Sequence, residues 1–168
     1  MTPAGAIPGP VVKVPANSRV SVDVGKMVPA QYNVSTKVTA DHPVIAERAV
    51  YWNNRIEGHD SVGVTSPSPT WYMAEGSTAA GFETWVLIQN PGDVDTAVDV
   101  VFMTPTGEVQ GPKVTLKAHA RTSINVTDTV PANWSVSTKV TASHPVICER
   151  SVYWSNRTGG TNSIGAVI

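Results

Sequence analysis

The chain contains a single cysteine, Cys148, among 168 residues. An internal disulfide is therefore excluded, and so is a zinc site built on paired cysteines. Charge is also scarce and balanced: 12 Lys and Arg against 13 Asp and Glu, a formal net charge of -1. Nucleic-acid binding needs a basic face to displace counterions, and a polybasic membrane anchor needs clustered cations. This composition supports neither. No run of apolar residues is long enough for a bilayer-spanning helix. The opening MTPAGAIPGP has no charged segment followed by an apolar one, so it does not read as a signal peptide. Good helix formers are few, and no long stretch spaces its apolar residues at 3.6.

Motifs that carry chemistry are missing too. The sequence has no G-x-S-x-G elbow, no H-E-x-x-H, no phosphate-binding glycine loop and no G-x-G-x-x-G. Its acids are scattered, many in turns such as Asp93 and Asp95, rather than paired as in glycosidases. His42 and His144 each precede a proline, the usual setting of a turn element. His59 and Asp60 are replaced by Thr161 and Asn162 at the matching positions of an internal repeat, which argues against a role common to both copies. Cys148 replaces Ala46 in the same way and reads as a small buried side chain. The sequence therefore offers no catalytic residue, no metal ligand set and no cofactor site, and a non-enzyme is expected.

What is abundant is β-branched: 27 Val and 18 Thr, punctuated by 13 Pro and 13 Gly. Such residues suit a pleated, half-buried surface. The sequence also repeats itself. Residues 2–66 align with 104–168 without a gap at an offset of 102, and 34 of the 65 pairs are identical. VPAQYNVSTKVTADHPVIAERAVYWNNR, from Val28, matches VPANWSVSTKVTASHPVICERSVYWSNR, from Val130. Repeats of this kind signal stacked or serial structural units. Residues 70–103 have no partner within the chain. The expected organisation is an N-terminally incomplete copy with its linker over 1–69 and a complete copy over 70–168.

Alternation and turn signals place strands of the complete copy at 70–74, 84–89, 97–103, 113–117, 121–126, 136–142, 145–155 and 163–168. The matching strands of the first copy fall at 11–14, 19–24, 34–40, 43–53 and 61–64. Seven or eight short strands with turns every 8–12 residues point to an all-β fold, an antiparallel immunoglobulin-like β-sandwich repeated with period 102. A closed barrel is the competing architecture. In 145–154 the set Val146, Cys148, Arg150, Val152 and Trp154 forms the apolar face. Arg150 on it demands a partner, a strand end near water, or a bulge that swaps the phase.

The pairs Glu47-Arg48 and Glu149-Arg150 are adjacent on strands and so point to opposite faces. They read as members of cross-strand ion pairs that fix register. Five aromatics stand out as candidate ligand or inter-module contacts: Trp52, Trp71, Tyr72, Tyr153 and Trp154. Outward rings would stack on sugars or cover a neighbouring module.

The strings TWYMAEGSTAAGFETWVLIQNPGD, VPANWSVSTKV and HPVICERSVYW resemble an uncharacterised family of bacterial extracellular repeat modules. Its signature is an AEGST-type segment, a T-W-x-L-x-Q-N-P-G strand and turn, and an E-R-x-x-Y-W strand. These fall on 74–78, 84–92 and 149–154, with 47–52 in the first copy. The resemblance implies a sandwich repeat located outside the cell or on its surface, and no chemistry. The expected function is structural or adhesive. Partners would be neighbouring modules or another copy of the chain, and possible cell-wall or extracellular polysaccharide defines the alternative of a carbohydrate-binding module. No nucleic acid and no membrane insertion are expected.

Overall fold

The computed structural model describes residues 1–168. The protein is all-β with antiparallel pairing throughout. A hairpin of β1 (Glu47–Trp52) and β2 (Glu57–Val62) precedes seven strands: β3 (Ser68–Met73), β4 (Glu83–Gln89), β5 (Thr96–Thr104), β6 (Gly107–Leu116), β7 (Arg121–Asn125), β8 (Ser137–Trp154) and β9 (Gly159–Ile164). The seven form one curled sheet organised by β8, an 18-residue strand. Its first part lies between β3 and β5, with β6 beyond. Its second part lies between β4 and β9, with β7 beyond. The sheet thus curls as a half-barrel around one core.

The handover between the two parts explains an unexpected feature. Alternation and the His144-Pro145 pair suggest two strands separated by a turn, yet β8 runs through. Pairing with β5 ends at Ala142 and pairing with β4 begins at Ile147. Pro145 therefore falls where no ladder needs its missing N–H, and residues Ser143, His144 and Pro145 are exposed. The side-chain phase never changes: Thr138, Val140, Val146, Cys148, Arg150 and Val152 all face inward. The bulge considered for Arg150 does not occur.

The core holds Trp71, Val86, Ile88, Val100, Phe102, Val140, Val146 and Cys148, each nearly or fully inaccessible. Trp71 satisfies its indole N–H on the carbonyls of Val146 (2.8 Å) and Ser68 (3.0 Å). Burial of the Cys148 thiol pushes its pKa well up, leaving a neutral, unreactive group. Asn90, in the Asn-Pro-Gly-Asp turn after β4, is 1% exposed. Its amide donates to the carbonyls of Val94, Leu116 and Lys117, and its oxygen accepts from Gly92 N. One side chain so ties two loops together. Thr78 does the same at the other end, donating to Val130 O at 2.6 Å and accepting from Asn133 N. Gly76 is required beside it, because a Cβ there would meet Val136 O at 2.9 Å.

The first copy departs from expectation. The strands expected at 11–14, 19–24 and 34–40 are absent, and most of residues 3–46 are exposed. Only 43–53 and 61–64 yield strand, as the β1–β2 hairpin. The turns of the two copies nevertheless coincide. Positive φ occurs at Gly5 and Gly107 (120° and 123°), at Asn17 and His119 (both 55°), and at Ala30 and Ala132 (54° and 53°). It recurs at Asn53, Asn54, Arg55 and again at Ser155, Asn156, Arg157. The register of β1 on β2 repeats in β8 on β9 pair by pair, from Glu47↔Val62 and Glu149↔Ile164 to Trp52↔Glu57 and Trp154↔Gly159. Even the closing bonds match, Gly63 N to Ala46 O and Gly165 N to Cys148 O. Local geometry is therefore common to both copies; the added ladder is not.

Candidate inter-copy interface

The two hairpins stack on each other, and the faces they use differ. In the second copy Arg150, Val152 and Trp154 point toward the core side, while Glu149, Ser151 and Tyr153 line the outer side of β8. In the first copy the matching core-type face, Arg48, Val50 and Trp52, lies half-buried on that outer side. Glu47, Ala49 and Tyr51 are exposed.

Arg48 is the polar centre of the stack. Its guanidinium donates to Glu149 Oε2 at 3.0 Å and to Ser61 Oγ at 3.1 Å. Asn162 donates to the same carboxylate at 3.2 Å and to Ser151 Oγ at 2.9 Å. The side chains of Arg48 and Glu149 are 29% and 23% exposed, so the pair is partly shielded from solvent. Beside it, Trp52 meets Tyr153 edge-on with centroids 5.6 Å apart, and its indole donates to Arg157 O at 2.6 Å. His59 completes the aromatic cluster, with Nε2 3.1 Å from the Tyr153 hydroxyl. Burial, then the nearby Arg48 cation, lower the His59 pKa, opposed by a backbone hydrogen bond and then by Asp60. Arg157 closes the far side. It lies over the rings of Tyr153 and Trp85 and pairs with Glu83 at 2.6 Å. That pairing holds the Glu83 carboxyl below its usual range and raises Arg157.

A second contact lies at the β7 edge. Arg121, 3% exposed, donates to Asn33 Oδ1 at 2.7 Å and to Ser123 Oγ at 2.8 Å. Its backbone N–H donates to Thr2 O, and Thr2 is itself buried. Desolvation lowers the Arg121 pKa to about 10, opposed by the Glu149 charge and reinforced by Arg48. The Met1 amino group donates to Ser35 O and the Ser35 N–H donates to Met1 O, which seats the start of the chain over Gln89.

The singled-out residues thus separate into groups. Trp52 and Tyr153 meet at the interface. Trp71 belongs to the core. Tyr72 exchanges backbone bonds with Ala166 and carries Lys139 over its ring at 5.8 Å. Trp154 packs near Phe82, with centroids 6.1 Å apart. Of the four ion-pair residues, Arg48 and Glu149 pair across the copies. Arg150 instead donates to Glu75 O at 2.7 Å, with the Glu75 carboxylate at 3.4 Å. Glu47 is exposed and forms no ion pair. Sequence reading missed Asn33, Arg121, Ser123 and Asn162. Arg121 and Ser123 do have a signal, since Arg19 and Ser21 repeat the same contact at the matching positions. No three His, Cys, Asp or Glu side chains converge as a metal site would require, and no helix is long and apolar enough to cross a membrane.

The class defined by this geometry is an all-β protein whose repeated motifs hold turns and core rather than converge on a cleft. The chain belongs to a family of unknown function (DUF5719), whose model matches residues 55–147, more than half of its length. No curated protein matches it. Among solved structures it is similar to the crystal structure of Thermotoga maritima 1070, at 16% identity and a TM-score of 0.55 over 61% of this chain and 96% of that one. That likeness is one of fold. It is also similar to the Anabaena sensory rhodopsin transducer, at 20% identity and a TM-score of 0.46 over 52% of this chain and 99% of that one.

Proposed function

We propose that the chain is a non-catalytic structural or adhesive repeat of a secreted or cell-surface bacterial protein, with the complete copy an immunoglobulin-like sandwich unit of a tandem series. The observation that carries this reading is the recurrence of backbone geometry at an offset of 102, in turn dihedrals and hairpin register alike. Selection on a catalytic cleft would tie function to a few convergent side chains. Here the repeated residues instead set turns in both copies, bury β-branched side chains in the complete one and join one copy to the next. The connection between β2 and β3 is short and contains Pro67, with Pro69 just beyond, which favours an extended, semi-rigid joint. Partners on this reading are neighbouring copies.

The alternative is a carbohydrate-binding module. It is favoured by Tyr51 and Trp134, which are 62% and 65% exposed. Tyr51 lies in an open groove of about 340 Å³ with Glu47, Arg55 and Asp60. A cell-wall glycan array separates the two. The structural reading predicts that no glycan retains the full chain, and that single-molecule stretching of the unit from β3 to β9 gives one cooperative event with a length gain of about 30 nm. Glycan retention abolished by Tyr51→Ala or Trp134→Ala would replace it with the alternative.

A further inference from the structure

Building on the repeat-module reading, we propose that residues 1–66 form a strand acceptor, that its ligand is a strand-forming polypeptide of the same sequence type as residues 68–103, and that the stacked β1–β2 hairpin is a latch over the acceptor until that ligand arrives. The second copy shows what such a ligand covers. There β3, β4 and β5 pair along β8 and bury Val140, Val146, Val126 and Leu116 to 5% exposure or less. Their counterparts Val38, Val44, Val24 and Val14 are 55%, 50%, 37% and 43% exposed. Covering four such side chains removes apolar surface from water, which favours association. The counterpart backbone is also unpaired on that side: Glu47–Trp52 bonds only to β2, and no strand forms over 34–40. Exposed edges of this kind recruit strands.

The acceptor is set in advance where it matters. Its turns at Gly5, Asn17, Ala30 and Asn53 to Arg55 already hold the positive φ of the second copy, so what remains to be ordered on its side is the extended chain between them. The required chemistry can be read from the second copy. The ligand must supply an indole N–H for the Val44 carbonyl, as Trp71 does for Val146. It must supply an amide for the carbonyls of Val14 and Pro15, as Asn90 does for Leu116 and Lys117. It must also offer the carbonyl and carboxylate that Arg48 would take, as Glu75 does for Arg150. Arg48 cannot serve this ligand and Glu149 together, which is what makes the stack a latch. Residues 68–103 are already paired on β8, so the ligand is a further copy of that segment.

The test joins a second 68–103 segment ahead of Thr2 in the full chain, so that Met103 precedes Thr2 as it precedes Thr104. A parallel arm adds the synthetic peptide 68–103 to the unaltered chain. Amides of residues 35–40 and 45–51 are expected to exchange with deuterium at least about 100-fold more slowly in the joined protein. Trp71→Ala and Asn90→Ala within the added segment alone should remove that protection. Glu149→Gln should raise the association of the peptide by releasing the latch. Unchanged exchange in both arms overturns the proposal, as does equal protection by a scrambled segment. Glycan retention by the joined protein would overturn the structural reading instead, since exchange and glycan binding are read independently.

Discussion

Trp71 contributes in two ways at once: a large ring sealed in the core and an N–H shared between two carbonyls. Trp71→Ala should therefore destabilise the seven-stranded unit by about 3–5 kcal/mol, read as a lower urea midpoint at constant slope. His59 governs pH dependence. Its pKa is depressed in the stack by burial and by Arg48, so the released hairpin binds the proton more readily than the stacked one. The stack is at full strength above the ordinary histidine value of about 6.5 and weakens as pH falls through the lowered one. The protection factors of the β1–β2 amides, taken relative to the intrinsic exchange rate at each pH, should fall between pH 8 and pH 5. His59→Thr, the residue at the matching position of the second copy, should flatten that profile.

At the scale of elements, Gly76 sits where strand and turn approach closely. Gly76→Ala should cost about 1–3 kcal/mol, because the neighbours of its Cβ are the Val136 carbonyl and Thr84; thermal melting measures it. The same scale shows what the sequence could and could not reveal. Strands β3, β4, β5 and β7 were legible because alternation and bracketing turns act locally. The continuity of β8 was not, since Pro145 marks a break unless one knows that the strand changes neighbours there. Strands at 11–14, 19–24 and 34–40 were wrongly expected for a related reason. Their side-chain pattern matches the second copy, but a ladder also needs a partner, and pattern alone does not supply one. The turns needed no partner and appear in both copies. Of the interface, the Arg and Glu positions were legible as polar residues on apolar strands. That Arg48 would pair with Glu149 of the other copy depended on a face-to-face stack that no local rule encodes.

For the whole molecule, the account rests on one copy laid against the other with unlike faces in contact. Such a heterologous contact differs from the self-complementary patch of a two-fold dimer, and it suits a chain whose units follow one another. A double-mutant cycle with Arg48→Ala and Glu149→Ala should give a coupling of about 1 kcal/mol for this partly shielded pair. The most direct measurement is a nuclear Overhauser spectrum of the full chain near neutral pH. The stacked hairpins require cross-peaks between the rings of Trp52 and Tyr153, whose centroids lie 5.6 Å apart. A spectrum of the folded protein with both rings assigned and no such cross-peaks would contradict the account.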